Sequence, residues 1–444
     1  MSNKNIKKVP IDHSIPLKLQ PTQEDIDNNG NRCLYWIVNK QKHQSYFCKA
    51  SKSKDGSVYC TQHKSISDPT SDNNIITCPN NPKHYVFEKN LQKHLKGCLV
   101  ENLESSRYYK KDVNSLRNND IKSLPRVILS KITTETLEAM ALKIDYLFSK
   151  CYPNGLKISN SIHSSFDRIF KDGRILKHIQ QESSMVSILD SRGLLSKDYL
   201  YLEFGSGSGK LSNHLFQALD KHSKGHILID RQKLKSLSNA DRFIKHETNC
   251  AYFERLLIDI RHLDLGNIDI LKSDISNFVV ISKHLCGMAT DLTLNSLDTL
   301  FQQYPHLKLN FKGLGIATCC HHLCDYDNYI NQQFIADELK LTAEEFQILC
   351  SISSWATLSQ SVENEQLSTT TSTTTTTTTT TTDYNSDYVF TKKRKEVLGY
   401  SAKRIIDFGR YLYIKHKLGL NASLDIYTDM SSENLFISAN TIFD

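Results

Sequence analysis

The sequence predicts an α/β protein in which two small metal-held modules precede a mostly parallel sheet, and three observations support that class. The chain has 444 residues with 39% hydrophobic content, enough to bury a full core and still carry a smaller module. Cysteines and histidines gather twice within the first hundred residues, where few apolar residues accompany them. Further along, short apolar runs alternate with helical patterns and end in glycines or polar clusters, as the strands of a parallel sheet do.

Composition removes several function classes. There is no run of about 18 apolar residues, and "MSNKNIKKVPIDHS" lacks the apolar stretch of a signal peptide, so no membrane span is expected. The expectation is a soluble intracellular protein of nucleus or cytoplasm, with residues 1–30 a disordered N-terminus. Twelve cysteines in reducing surroundings point to metal ligation or burial rather than to a disulfide framework. Net charge is +7, yet residues 31–111 hold 14 Lys/Arg against 6 Asp/Glu and so carry the whole excess. Such a segment suits a polyanionic partner, because each neutralised phosphate releases condensed counterions. Lysines that only solubilise a core-poor module would give the same count.

The first module, residues 31–65, contains Cys33, Cys48, Cys60 and His63. Cys60 and His63 have the two-residue gap of a zinc knuckle; the longer gaps are less diagnostic, and spacing leaves His43 as an alternative ligand. The second module, residues 75–100, holds "CPNNPKHYVFEKNLQKHLKGC", with Cys78, His84, His94 and Cys98. His94 and Cys98, four apart, would share one helix face, while "CPNNP" reads as a turn presenting Cys78 and His84 from a loop. Four N/S ligands suit structural zinc, which supplies folding energy that so few apolar residues cannot.

Residues 101–130 are polar and read as a linker, although Tyr108 and Tyr109 have something to pack. In "TTETLEAMALKIDYLFSK", Leu137, Met140, Ala141, Ile144, Leu147 and Phe148 repeat at helical spacing, with Thr133 or Thr134 available as N-cap. The chemical centre of the remaining chain is "YLYLEFGSGSGKLSNHL". An apolar strand ends at Phe204, Gly205, Gly207 and Gly209 form a tight turn, and a helix follows. A dinucleotide fingerprint wants glycine at its sixth position, which here is Lys210. The pattern is instead acidic-x-Gly-x-Gly-x-Gly beginning at Glu203, suited to close backbone approach by an adenosyl and amino-acid ligand.

Later strands keep the order. "HILID" ends on Asp230, 21 residues past Gly209, where a carboxylate can accept both ribose hydroxyls; "LLIDIRHLDL" offers Asp259 for the adenine side. "NFVVISKHLCG" runs into Lys283, His284, Cys286 and Gly287, and "LNFKGLGIATCCHH" into Cys319, Cys320, His321 and His322. Ligands of open α/β sheets sit at the carboxyl ends of strands, so these clusters fall on one rim.

Taken in order, the two Cys/His sets, "EFGSGSG", "KHLCGMATDLTL", "GIATCCHHLC" and "AKRIIDFGRYLY" resemble the eukaryotic tRNA 2'-O-methyltransferase family acting on acceptor-stem position 4, over about residues 30–420. The resemblance implies a Rossmann-like class I methyltransferase domain preceded by two small zinc fingers, S-adenosyl-L-methionine as cofactor, two structural Zn2+ ions and tRNA as partner. It implies a CCCH finger on Cys33, Cys48, Cys60 and His63, and a CHHC finger on Cys78, His84, His94 and Cys98. The catalytic domain is expected over 131–425 with a disordered poly-Thr insertion at 361–390, since a polar tract has nothing to bury and long surface loops cost little.

Methyl transfer to a ribose hydroxyl needs the oxygen aligned and a weakly acidic proton removed. Lys283 and His284 are the candidate groups, as base, alkoxide stabiliser or phosphate anchor, with Asp291 expected to orient either one. In "CCHHLC" adjacent residues on an extended strand end point to opposite faces, so substrate-side histidines and buried thiols are favoured over a third metal. "KKRK" at 392–395 reads as solvated charge, or as a contact to RNA or a nuclear address. Protein or DNA amino-group acceptors would call for an Asn/Asp-Pro-Pro-aromatic signature that "SKHLCG" is not, and a non-catalytic RNA-binding chain is at odds with intact "EFGSGSG" and Asp230.

Overall fold

The computed structural model describes residues 22, 26, 29–39, 44–53, 57–60, 63, 75–78, 81–92, 106–116, 124–167, 177–232, 234, 238–246, 249–272, 277–357 and 390–441. The chain divides into two compact units, Met1–Leu103 and Glu104–Asp444. The N-terminal stretch and the poly-Thr tract expected to be disordered lie outside the described residues, apart from a few positions at their edges. Among the described residues no helix is long and apolar enough to cross a membrane.

The first unit is built on hairpins. Strands β1 (Trp36–Asn39) and β2 (Gln44–Phe47) pair antiparallel, with Trp36 opposite Phe47 and their rings edge to face at 4.6 Å. Because Cys33 precedes β1 and Cys48 follows β2, the pairing itself brings the two cysteines together. Backbone bonds from Cys33 to Ala50 and from Cys48 to Tyr35 extend it. A second hairpin joins β3 (Ile75–Cys78) to β4 (Asn81–Phe87).

The second unit is one eight-stranded sheet. Its parallel strands are β6 (Leu200–Phe204), β7 (Gly225–Asp230), β8 (Phe253–Leu257), β9 (Phe278–Cys286) and β10 (Phe311–Cys319). β5 (Lys157–Ile158), β11 (Asn421–Ile426) and β12 (Leu435–Asn440) complete the order β5-β11-β12-β10-β9-β6-β7-β8, with β12 antiparallel to both neighbours. The chain leaves β6 toward β7 and β8, then returns to the other side of β6 as β9 and β10. That reversal opens a crevice at the carboxyl ends of β6 and β9. Helices cover both faces, so β6 is buried along its whole length: Leu200, Leu202 and Phe204 join one core cluster and Tyr201 another.

The helices are α1 (Thr134–Cys151), α2 (Lys177–Ser191), α3 (Lys210–Ala218), α4 (Asn239–His246), α5 (Met288–Gln303), α6 (Ala343–Ile352) and α7 (Lys392–Leu412). α1 matches its periodicity: Thr133 is the N-cap, accepting from the Thr136 amide, and Met140, Ala141, Ile144 and Leu147 are buried. The segments on either side of the Thr tract share one core, for a Cβ on Gly399 of α7 would meet the Ala356 nitrogen at 2.2 Å.

Two expected boundaries shift. Residues 106–116 are not a free linker: Asn114 is buried, its amide donating to the Ile260 and Leu263 carbonyls at 2.7 Å each, and Tyr108 and Tyr109 pack on the sheet's core. The catalytic unit also runs past 425, because β12 lies between β10 and β11 and a cut there would remove an interior strand.

Candidate cofactor site and metal centre

Cys33, Cys48, Cys60 and His63 are all buried, and their ligand atoms lie within 4.8 Å of one another. His63 Nδ1 is 3.4 Å from both Cys33 Sγ and Cys60 Sγ. Tetrahedral zinc with ordinary Zn–S and Zn–N bonds separates sulfur from nitrogen by about 3.6 Å, so the donor set fits the ion. Burial lowers the pKa of His63, favouring the neutral imidazole that ligates, and the Tyr35 ring stacks on it at 4.0 Å. The core here consists of the three cysteines with Tyr35 and Tyr59 packed against them. The alternative ligand His43 lies outside the described residues.

In the second module, Cys78 closes β3 and His84 lies within β4, so this half of the set rides on a hairpin rather than on the expected loop. The pairing register shifts between Thr77 and Cys78. His94 and Cys98 lie outside the described residues.

The glycine loop sits at the switch point and is held from two neighbouring strands. Asp230, the last residue of β7, accepts from the Gly207 amide at 2.8 Å and from the Gln232 amide at 2.7 Å. Arg255 of β8 donates to the Gly207 carbonyl at 2.9 Å and to Ser206 Oγ at 3.1 Å, and is itself fixed by Asp241 of α4 at 2.7 and 2.9 Å. Gly207 has φ 48°, and a Cβ there would touch nothing within 4 Å, which leaves open space above its backbone. Gly209, at φ 74°, is tight as well as left-handed: its Cβ would stand 2.6 Å from Leu228 Cδ2. Gly205 shares the positive φ, at 62°.

Glu203 does something sequence reading did not assign. Gly209 is the N-cap of α3 and brings no side chain, so the first turn lacks an acceptor. Glu203 supplies it from β6, its Oε2 accepting from the Ser212 amide at 3.1 Å and from Ser212 Oγ at 2.5 Å. Burial raises its pKa to about 7 even so. Glu203 thus braces the helix that follows the loop. Asp259 comes just after β8 rather than within it and caps a short 3-10 turn, accepting from the Arg261 amide at 2.9 Å.

Lys283 lies near the end of β9 and is 6% exposed. Its Nζ donates to Glu182 Oε1 at 2.5 Å and to the His178 carbonyl at 3.0 Å, both on α2. Burial lowers its pKa, opposed by Glu182. For Glu182, burial is outweighed by His214 of α3 and Lys283, which hold its pKa below the ordinary value. His284 follows on β9, with its side chain outside the described residues.

Asp291 does not orient Lys283, whose carboxylate partner is Glu182. Fully buried in the first turn of α5, it accepts from Arg410 of α7 at 2.5 and 3.1 Å. Arg410 also donates to the Gly287 carbonyl and to Asp407, each at 3.0 Å. Asp407 in turn accepts from Thr318 Oγ1 and pairs with His321 Nε2, both at 2.8 Å. Burial alone would raise the Asp407 pKa, but His321, Arg410 and Thr318 hold it at about 2. His321, 1% exposed, is therefore a buried brace and not a substrate-side histidine.

Glu182, His214, Arg255, Asp241, Arg410 and Asp407 escape sequence reading. A glutamate inside "IQQESSM" and an arginine inside "FERLL" belong to no motif, and only the fold gives them partners. The one available signal is a charged residue within an apolar strand.

These residues fit S-adenosyl-L-methionine: an open glycine loop, and beside it a strand-end carboxylate with free lone pairs for a vicinal diol. The family model described as Methyltransferase TRM13 matches residues 180–440, and that of the U11-48K-like CHHC zinc finger matches residues 75–98. A Dictyostelium discoideum protein named tRNA:m(4)X modification enzyme TRM13 homolog is 46% identical over 496 aligned positions, covering 98% of this chain and 94% of that one. The human homolog is 28% identical, covering 92% of this chain and 94% of its own, and the Saccharomyces cerevisiae enzyme 27%, covering 92% and 98%. A family match over most of the sheet unit, joined to near end-to-end similarity that includes the fingers, leaves one conclusion: the chain belongs to the TRM13 methyltransferase family.

Proposed function

We propose that the chain transfers a methyl group to the ribose 2'-hydroxyl of nucleotide 4 in the tRNA acceptor stem. The observation that carries this reading is the 46% identity, across fingers and sheet alike, to a relative named for tRNA:m(4)X modification. S-adenosyl-L-methionine, when bound, supplies an electrophilic methyl on a sulfonium. Asp230 holds the ribose hydroxyls, Asp259 lies on the adenine side, and the loop from Gly205 to Gly209 admits the amino-acid end. The basic finger unit docks the tRNA, whose helical regions are recognised by shape and backbone.

Lys283 and His284 divide the acid–base work. The Lys283 ammonium, fixed by Glu182 and the His178 carbonyl, keeps a third donor available and stabilises negative charge developing on the acceptor oxygen. Its 6% exposure disfavours a surface phosphate anchor. His284 takes the proton, as a histidine general base is suited to do. Asp291 is a positioning residue: through Arg410 it holds the Gly287 carbonyl and so the turn that ends β9.

The test is methyl transfer from labelled cofactor to tRNA lacking this modification, followed by nuclease mapping. Label at nucleotide 4 as a 2'-O-methyl supports the reading. Cofactor binding without transfer, or label at another nucleotide, contradicts it. Within that assay His284→Ala should remove the acidic limb of the pH profile, and Lys283→Met should lower kcat with cofactor affinity preserved. A change in KM alone would make Lys283 an anchor.

A further inference from the structure

Three thiols meet at the sheet's rim outside every contact described so far. Cys286 is the last residue of β9 and Cys319 the last of β10, and the two stand opposite each other in the parallel register. Their sulfurs are 3.4 Å apart, and with Cys320 the three thiols lie within 4.8 Å of one another. The objection that adjacent strand residues face opposite ways fails for a visible reason. Cys320 leaves the strand in a left-handed conformation, φ 51° and ψ 43°, so the alternation breaks at that residue and its sulfur joins the other two.

That conformation costs a residue with a side chain on the order of 1 kcal/mol and more, and it persists only where the surroundings hold it. Here they do: the chain reverses at Gly287, whose amide bonds the Cys319 carbonyl at 3.0 Å, so both strand ends turn at the thiols. Two thiolates on one tetrahedral zinc ion, at about 2.3 Å each, stand about 3.8 Å apart, which is the spacing class seen here and at Cys33, Cys48, Cys60 and His63. Sulfurs this close surround a single ion rather than a multinuclear cluster. A disulfide would join only two of them and would leave the third unexplained.

We propose that Cys286, Cys319 and Cys320 form a third metal site, binding one zinc ion through three thiolates. Cys286 is exposed, so the fourth position opens to solvent and takes water. His321 is not the fourth ligand, since its ring nitrogens fall outside the group whose ligand atoms all lie within 4.8 Å of one another. Binding exchanges thiol protons for the metal and fastens the end of β9 to that of β10. The ion thereby fixes the backbone that carries Lys283 and His284.

The test is metal content per chain of full-length protein prepared with zinc under reductant, with intact mass recorded on the same samples. Cys286→Ser, a change at an exposed thiol, should hold one zinc fewer than the parent, and so should Cys33→Ser. The double variant should lose two. Cobalt substitution should show thiolate charge-transfer absorption that falls in Cys286→Ser. Cys320→Ala, read against cofactor affinity, serves if Cys286→Ser does not fold. Equal zinc in parent and Cys286→Ser would overturn the proposal, and so would a parent mass two hydrogens light, which would mean a disulfide.

Discussion

The finger around Cys33 and the sheet around Glu203 reach burial by opposite routes. In the finger the ligands dominate the core: among the described residues, three cysteines and one histidine are buried together with Tyr35 and Tyr59 packed on the cysteines. In the sheet, aliphatic and aromatic strands make the core, and charged groups are set into it in partnered arrays. Glu182 meets Lys283 and His214 on one side; Arg410 meets Asp291 and Asp407 on another. A metal-folded module has no side chains to spare for catalysis, whereas an apolar core can hold ionised groups at fixed distances. On the proposed reading, the finger docks the tRNA and the sheet carries the chemistry.

The largest test of that contrast is Cys60→Ser. It damages a site whose zinc affinity is worth on the order of 10 kcal/mol, so amides of Cys33, Leu34 and Cys48 should lose hydrogen-exchange protection while strands β6 to β10 keep theirs. Loss in both would mean that the units fold as one. Next comes Arg410→Met, which leaves Asp291 and Asp407 buried without their cation. A destabilisation of about 3–5 kcal/mol is expected in chemical denaturation, with finger zinc unaffected.

Gly209→Val combines a left-handed φ with a collision at Leu228, and cofactor affinity measured by calorimetry should fall roughly 100-fold, about 2–3 kcal/mol. A smaller effect is set by pH. His226 is wholly buried among Tyr201 and Phe216, with neither ring nitrogen bonded, and burial lowers its pKa to about 3. Below pH 6.5 the unfolded chain binds a proton that the folded one refuses until about pH 3. Stability from this group therefore falls on acidification across that window, by about 1.4 kcal/mol per pH unit. His226→Phe should flatten the dependence of Tm on pH between 6.5 and 5. Arg394→Ala, which removes the half-exposed pair with Asp145 at the start of α7, should cost under about 1 kcal/mol.

How much of this was legible follows the same division. The placement of the Cys33, Cys48, Cys60 and His63 cluster, the glycine loop and Asp230 could be read because it is local: spacing along the chain sets where these residues fall. The brace from Glu203 to Ser212 was not legible, since it matters only once β6 and α3 are packed. Lys283 was found and its partner was not, because Glu182 lies about a hundred residues away on another helix. Asp291 looked catalytic by its nearness to "KHLCG", yet the fold gives it to Arg410, more than a hundred residues downstream. Cys286 and the Cys319–Cys320 pair were each visible, but only parallel strand register and a left-handed turn make them one group.

The most direct test of the division between docking and chemistry is a paired titration of one protein, Cys60→Ser, with S-adenosylhomocysteine and with tRNA. An unchanged cofactor affinity beside a large loss of tRNA affinity is the predicted result. Equal loss of both, or tRNA affinity equal to the parent's, would contradict it.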